Sequence, residues 1–224
     1  MLRHLKALCL ASVAVFALTA VASASASEFK SENATSTFMH GVQIGSGDVF
    51  HTNAGNVTCT SATYAGTQAG ASSTTATVAP TYSGCTGFLI SATIHMNGCE
   101  YKFEEPTVTT AGVTYHGAIE IVCPEGKEIT VTAISAGTTK CTIHIPGGQT
   151  FANAAEYTLS GSGETRKIVA TISISGIHYS QTAGTGFGAC TTENNQTNGT
   201  YSGEAEMKGW TSSAMSTQQG IWIA

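Results

Sequence analysis

The chain has 224 residues, with 9 Lys plus Arg, 14 Asp plus Glu and a net charge of −5, and only 10% of its residues are charged. There is no basic run, which argues against nucleic acid and anionic membranes as partners, because both are bound through clustered cations. No window beyond the N-terminal segment approaches eighteen consecutive apolar residues, so no membrane span is expected.

Arg3, His4 and Lys6 precede an uncharged apolar stretch over residues 7–21 that runs into alternating Ala and Ser. This is the pattern of a secretory signal peptide, and the small residues Ala24 and Ala26 place cleavage after Ala26. The expected organisation is a signal peptide at 1–26 and an extracellular β-sandwich domain at 27–224, in one or two lobes. Cys9 leaves with the signal. The C-terminal residues 220–224 have neither the polar spacer nor the long apolar tail of a lipid-linked anchor, so the expected location is secreted and extracellular. Removing Arg3 and Lys6 leaves 7 basic against 14 acidic residues, a net charge of −7.

Along residues 33–99 the only charged side chain, histidine aside, is Asp48. A long neutral surface of Thr, Ser, Gly and Ala suits wall-associated or matrix-like material better than an enzyme. Residues 66–75 are the least regular part of it and read as a mobile loop. From there on, period-two faces recur: Ala92, Ile94 and Met96; Ile119, Ile121 and Cys123; Ile129, Val131 and Ala133; Cys141, Ile143 and Ile145. The clearest face is Ile168, Ala170, Ile172 and Ile174, after which the parity changes at Gly176 to Ile177 and Tyr179, as at a β-bulge. Each run is half apolar and half polar, the mark of antiparallel sheets with one wet face. Pro106, Pro124 and Pro146 each follow a strand run, where a missing amide donor does least harm. The expected fold is an all-β antiparallel sandwich, Ig-like or jelly-roll-like, of about eleven to thirteen short strands. An internal echo links Ala92, Thr93, Ile94, Gly98 and Tyr101 to Ala170, Thr171, Ile172, Gly176 and Tyr179, offset by 78. A second links Thr114, Tyr115, Gly117 and Glu120 to Thr200, Tyr201, Gly203 and Glu206, offset by 86. The echo reflects either two related strand groups or chance likeness among strands built from few residue types.

Six cysteines survive signal removal: Cys59, Cys85, Cys99, Cys123, Cys141 and Cys190. An even number behind a signal peptide, without a two-residue spacing, reads as a disulfide framework rather than a metal knuckle or redox dithiol. Sequence leaves about 15 connectivities open. Cys59 with Cys85 is the preferred pair, because both sit in the N-terminal third on comparable strand patterns. Closing that loop stabilises the fold by roughly 3 to 4 kcal/mol on the chain-entropy model.

The acidic inventory argues against several chemistries. Asp48 is the only aspartate, so an aspartic dyad and an EF-hand loop are absent. Glu104 and Glu105 are adjacent on or beside a strand and are expected on opposite faces, whereas Glu204 and Glu206 share parity as a solvated strand face. There is no Gly-x-Ser-x-Gly elbow. His95, His144 and His178 lie between apolar neighbours and should face outward, with His116 joining them, but no close-spaced pair supports a metal site. Sequons begin at Asn33, Asn56, Asn195 and Asn198. Trp210, Trp222, Tyr82, Tyr115, Tyr157 and Tyr201 offer either core side chains or a stacking platform for sugars. No catalytic, cofactor-binding or metal residue is assigned, and no cofactor is expected.

Three short motifs, Gly98-Cys99-Glu100-Tyr101, Val122-Cys123-Pro124-Glu125-Gly126-Lys127 and Lys140-Cys141-Thr142-Ile143, are followed by Asn198-Gly199-Thr200-Tyr201-Ser202-Gly203. In this order, behind a signal peptide, they resemble uncharacterised secreted β proteins of high-GC Gram-positive bacteria. The resemblance implies extracellular location and disulfides, and carries over no functional residue. The functional expectation is a non-catalytic structural or adhesive module whose partner the sequence leaves unknown, with cell-wall or extracellular glycan as the candidate. A carbohydrate-binding module and a secreted hydrolase are the alternatives. N-terminal sequencing of exported protein should begin at Ser25 or Ser27, and its unreduced mass spectrum should show no more than one pair of free thiols. Intact Met1 in a membrane fraction, or six alkylatable thiols, would overturn this reading.

Overall fold

The computed structural model describes residues 27–110 and 114–224, and the expected signal peptide at 1–26 lies outside the described residues. The first half contains β1 (Phe29–Ser31), β2 (Ser36–Gln43), β3 (Asp48–Thr52), β4 (Gly55–Ala69), β5 (Ser72–Ser73), β6 (Thr75–Gly87), β7 (Ile90–His95) and β8 (Glu100–Thr110). The second contains β9 (Thr114–Val122), β10 (Glu128–Ser135), β11 (Thr138–Pro146), β12 (Gln149–Ser160), β13 (Lys167–Ala183), β14 (Glu193–Trp210), β15 (Gln218–Gln219) and β16 (Ile221–Ile223). Every pairing is antiparallel, in one large sheet and one small one, so the protein is an all-β sandwich-like fold. The only helical segment among the described residues is a 3-10 turn at Gly163–Thr165.

The registers show how the large sheet is built. β2 and β3 run one after the other along the same edge of β4, residues 36–42 against 69–63 and 48–52 against 59–55. They are one long strand interrupted at 44–47. β7 and β8 likewise share an edge of β6, β10 and β9 pair with β7 and β8, and β11 and β12 share an edge of β13. Together with β4, β6, β13 and β14 this makes eight long strands, each antiparallel to the one before it, and β14 closes the circuit on β2 and β3. The strand count rises to sixteen among the described residues, because β1, β5, β15 and β16 join the twelve segments of the circuit, which themselves match the expected eleven to thirteen. The connections of the circuit run up-and-down between neighbours.

The interruptions fall opposite one another. Pairs Glu100↔Val122 and His95↔Thr130 flank the breaks in both β7/β8 and β9/β10, and Glu128↔Pro146 and Gln149↔Ile121 flank the next pair. The band continues to the expected bulge at Gly176, where the register shifts between Ser175 and Ile177. Asn97, Gly98, Gly126, Gly148 and Gly176 all adopt positive φ in this band, a region that glycine enters without a Cβ penalty. Two of the three disulfides lie on or near it. Cys59–Cys85 joins directly opposed residues of β4 and β6, Cys99–Cys123 joins the ends of β8 and β9, and Cys141–Cys190 ties β11 to the connection between β13 and β14.

Two further local expectations change. Residues 66–75 form no loose loop: β4 continues to Ala69, and β5 pairs with β1. There the order comes from backbone packing rather than apolar alternation. A Cβ at Gly66 would lie 2.1 Å from the Thr77 carbonyl oxygen, and the buried Gln68 amide donates to Phe29 O at 3.1 Å. Pro106 sits inside β8, buried, at a register shift between Glu104 and Thr107 where no ladder donor is required.

Alternation fills the interior with one continuous cluster of apolar side chains, including Val57, Ile119, Val131, Ile143, Tyr157 and Tyr179, while Thr, Ser, Glu and Lys face outward. This polarity is the reverse of a membrane-spanning barrel, whose outer band is apolar. No described helix is long and apolar enough to cross a membrane. The first and last described strands cover one mouth. β1 pairs with β16 and β5, Ile221 N–H donates to Arg166 O, and Phe29 meets Tyr157 edge-on at 5.7 Å between ring centroids. Ile221 is 1% exposed, so Ile221→Ala should destabilise the fold by about 2–5 kcal/mol in denaturant titrations. A loss below about 0.5 kcal/mol would mean the plug is not part of the cooperative core.

Candidate functional site

The chain's single aspartate is turned into the barrel. Asp48 opens β3 immediately after the interruption at 44–47 and shares strand parity with the buried Phe50. It is 2% exposed. Gly203 makes the room: a Cβ there would come within 2.0 Å of Asp48 Oδ1, while one at the preceding Gly47 would come within 2.8 Å of Cys59 O. Only glycine at 203 leaves the carboxylate its place.

Four tyrosines from four long strands converge on it. Tyr201 of β14 donates its hydroxyl to Asp48 Oδ1 at 2.7 Å, and Tyr64 of β4 donates to Oδ2 at 3.1 Å. Tyr82 of β6 lies 3.0 Å from the Tyr101 hydroxyl of β8 and 3.4 Å from that of Tyr201. The network therefore links Asp48 to strands on both sides of the barrel. Removal from water pushes the Asp48 carboxyl above its ordinary value of 3.8, opposed by the hydrogen bonds from Tyr201 and Tyr64. Burial likewise raises all four phenols above their ordinary value, Tyr101 to about 12. They remain neutral donors across the physiological range.

The cluster lines part of an interior cavity of about 100 Å³. Ile94, Phe103, Ile172 and Met207 line it beside Asp48, Tyr82, Tyr101 and Tyr201. Tyr82, Tyr101 and Tyr201 are only half-buried because their rings face this space rather than bulk water. A second feature is a groove of about 550 Å³ between β12 and β13, lined by Gln149, Thr150, Phe151, Ser173, Ser175 and His178. The two strands part there, and the Gln149 side chain stands in for the missing ladder. Its amide donates to His178 O at 3.0 Å, and its oxygen accepts the His178 N–H at 2.7 Å.

The residues weighed from the sequence are scattered by comparison. Glu104 pairs with Lys102, which also meets Glu120 at 3.2 Å; the side chain of Glu105 lies outside the described ones. Glu206 bridges Lys167 at 2.6 Å and Lys208 at 2.9 Å, and these two bonds hold its carboxyl below the ordinary value. His144 meets Glu128 and His116 meets Glu156, while His95 and His178 are exposed on β7 and β13. Of the aromatic residues read as either core or stacking platform, Tyr82, Tyr115, Tyr157 and Tyr201 belong to the core, and Trp222 is covered by Arg166 at 4.7 Å. Sequence reasoning missed the Asp48 cluster. The available signal was parity, since Asp48 stands two residues before Phe50 and so on the apolar face. No family model, curated protein or solved structure matches this chain.

A buried carboxyl with a raised pKa gives a signed pH dependence. Its contribution to stability is fully present below the unfolded value of about 3.9 and is lost as pH rises through the folded value, at about 1.4 kcal/mol per unit of elevation. The parent should therefore lose stability relative to Asp48→Asn between pH 4 and the folded pKa, measured by denaturation across that range. A difference independent of pH would show that the carboxyl titrates normally.

Proposed function

We propose that this protein is a secreted, non-catalytic β module with a structural or adhesive role outside the cell, and that its partner is cell-wall or extracellular glycan. One observation carries the reading. Across residues 33–99 the sole charged side chain, histidine aside, is Asp48, and it points inward. The outer wall of β2 to β7 therefore presents neutral Thr, Ser, Ala and Gly, with His40, His51 and His95, while the ion pairs among the described residues lie on β8 to β14, apart from Lys30–Glu28 at β1. Such a surface suits close approach to neutral polymer without the desolvation cost of buried charge. Three disulfides and a closed ladder supply durability in an oxidising compartment. The likeness to secreted β proteins of high-GC Gram-positive bacteria points to the same setting.

A carbohydrate-binding reading finds support in the groove between β12 and β13, where Phe151 lies among the polar groups of Gln149, Thr150, Ser173 and Ser175. Glycan arrays and binding to purified cell wall separate the two. Broad, weak retention on wall material favours the structural reading, and selective capture of one oligosaccharide, abolished by Phe151→Ala, favours the groove. Substituting Glu104, Glu105, Glu204, Glu206, His95, His144 or His178 singly by Ala or Gln should leave wall retention intact and change stability by no more than about 1 kcal/mol. Turnover of a glycosidase, esterase or peptidase substrate that vanishes in any one of these variants would replace both readings with a hydrolase.

A further inference from the structure

We infer that the interior of the barrel binds a small protonated amine with an apolar body, its ammonium at Asp48 and its hydrocarbon part in the adjoining cavity. The inference is independent of the outer wall and of any glycan partner.

A carboxylate as deeply buried as Asp48 is ordinarily paired with a cation or bound to a metal, because an isolated buried charge is costly. Among the described residues no Lys, Arg or His forms an ion pair with it. Its neighbours are the hydroxyls of Tyr201 and Tyr64, one on each oxygen. Two hydrogen bonds fix the orientation of the carboxylate and leave further lone pairs on both oxygens, since an ionised carboxylate has about four acceptor sites. Tyrosine neighbours also suit a cation, which is attracted to the ring faces.

The geometry selects the remainder of the ligand. The cavity beside the carboxylate measures about 100 Å³ and its walls are almost entirely apolar, with Ile94, Phe103, Ile172 and Met207 around it. An engineered apolar cavity of about 150 Å³ accepts benzene, so this smaller space takes a short branched aliphatic body, with a single ring as the upper bound. One charged pole against an apolar chamber is complementary to a primary amine carrying such a group. It is a poor match for a sugar, whose hydroxyls would go unpaired.

The barrel wall is also unzipped beside the cluster. β6 pairs with β8 over residues 75–78 and with β7 over residues 86–87, which leaves residues 79–85 without a ladder on that edge. Pro80, which has no N–H to offer, and Tyr82 lie in this stretch. The edge facing the cluster is therefore the one held by fewest hydrogen bonds. Local opening there requires less disruption than at the fully paired β13–β14 wall.

The test uses the oxidised mature protein with benzylamine and isobutylamine, each against its neutral counterpart, benzyl alcohol and isobutanol. Calorimetry should give the amine at least about tenfold tighter binding than the alcohol of the same shape. The amine should shift the ring resonances of Tyr82, Tyr101 and Tyr201. Asp48→Asn, checked for fold by circular dichroism, should abolish the preference. Ile94→Phe, which fills the chamber while keeping the carboxylate, should weaken amine binding at least about tenfold and serves if the Asn variant does not fold. The inference fails if neither amine binds the parent by about 10 mM. It fails equally if alcohol and amine bind alike, if the shifts map to the outer wall, or if a folded Asp48→Asn variant keeps the preference.

Discussion

The hydrogen bonds between β14 and the interrupted strand β2/β3 join the last long strand to the first, and most other features follow from that closure. A closed antiparallel circuit of eight strands has an inside and an outside, and a strand with period two must commit every second side chain to one of them. It also removes the free edges that would otherwise invite pairing with other chains. The band of interruptions is the local cost of closure. Glycines at positive φ let adjoining strands change register together, and Cys99–Cys123 fastens the two strands flanking the break.

Closure also explains how an aspartate comes to lie in the core. The interruption at 44–47 restarts the first strand with Asp48 facing inward, and Gly203 on the neighbouring strand has no side chain to compete for the space. The carboxylate then depends on phenols from β4 and β14, with Tyr82 and Tyr101 completing the network. A hydrogen-bonded buried group of this kind ties several strands into one arrangement, but its carboxyl is still destabilised by loss of water, as the upward shift of its pKa shows. The cluster is thus both a registration device and a point of residual electrostatic tension within an otherwise apolar interior.

The exterior divides along the same circuit. From β2 to β7 the outer wall is neutral, whereas β8 to β14 carry Lys and Glu in cross-strand pairs such as Lys102–Glu120 and Lys167–Glu206. Exposed pairs of this type add little to stability, so the asymmetry concerns what each wall can approach more than what holds the protein together.

Much of the local structure was legible in the sequence. The alternating faces at Ile129, Val131 and Ala133 and at Ile168, Ala170 and Ile174 point inward as parity requires, and Gly176 is a bulge. Those features depend on neighbours a few residues away. Residues 66–75 and Pro106 are not legible there for the complementary reason: their order comes from Thr77, β1 and a register shift, none of which leaves a periodic trace. Only the tertiary structure decided that the strands form one closed circuit, that their interruptions align, and that Asp48 meets Tyr201, 153 residues away. Strand pairing is carried by backbone groups that every residue type shares, so a sequence specifies which side chains face inward well before it specifies which of them meet.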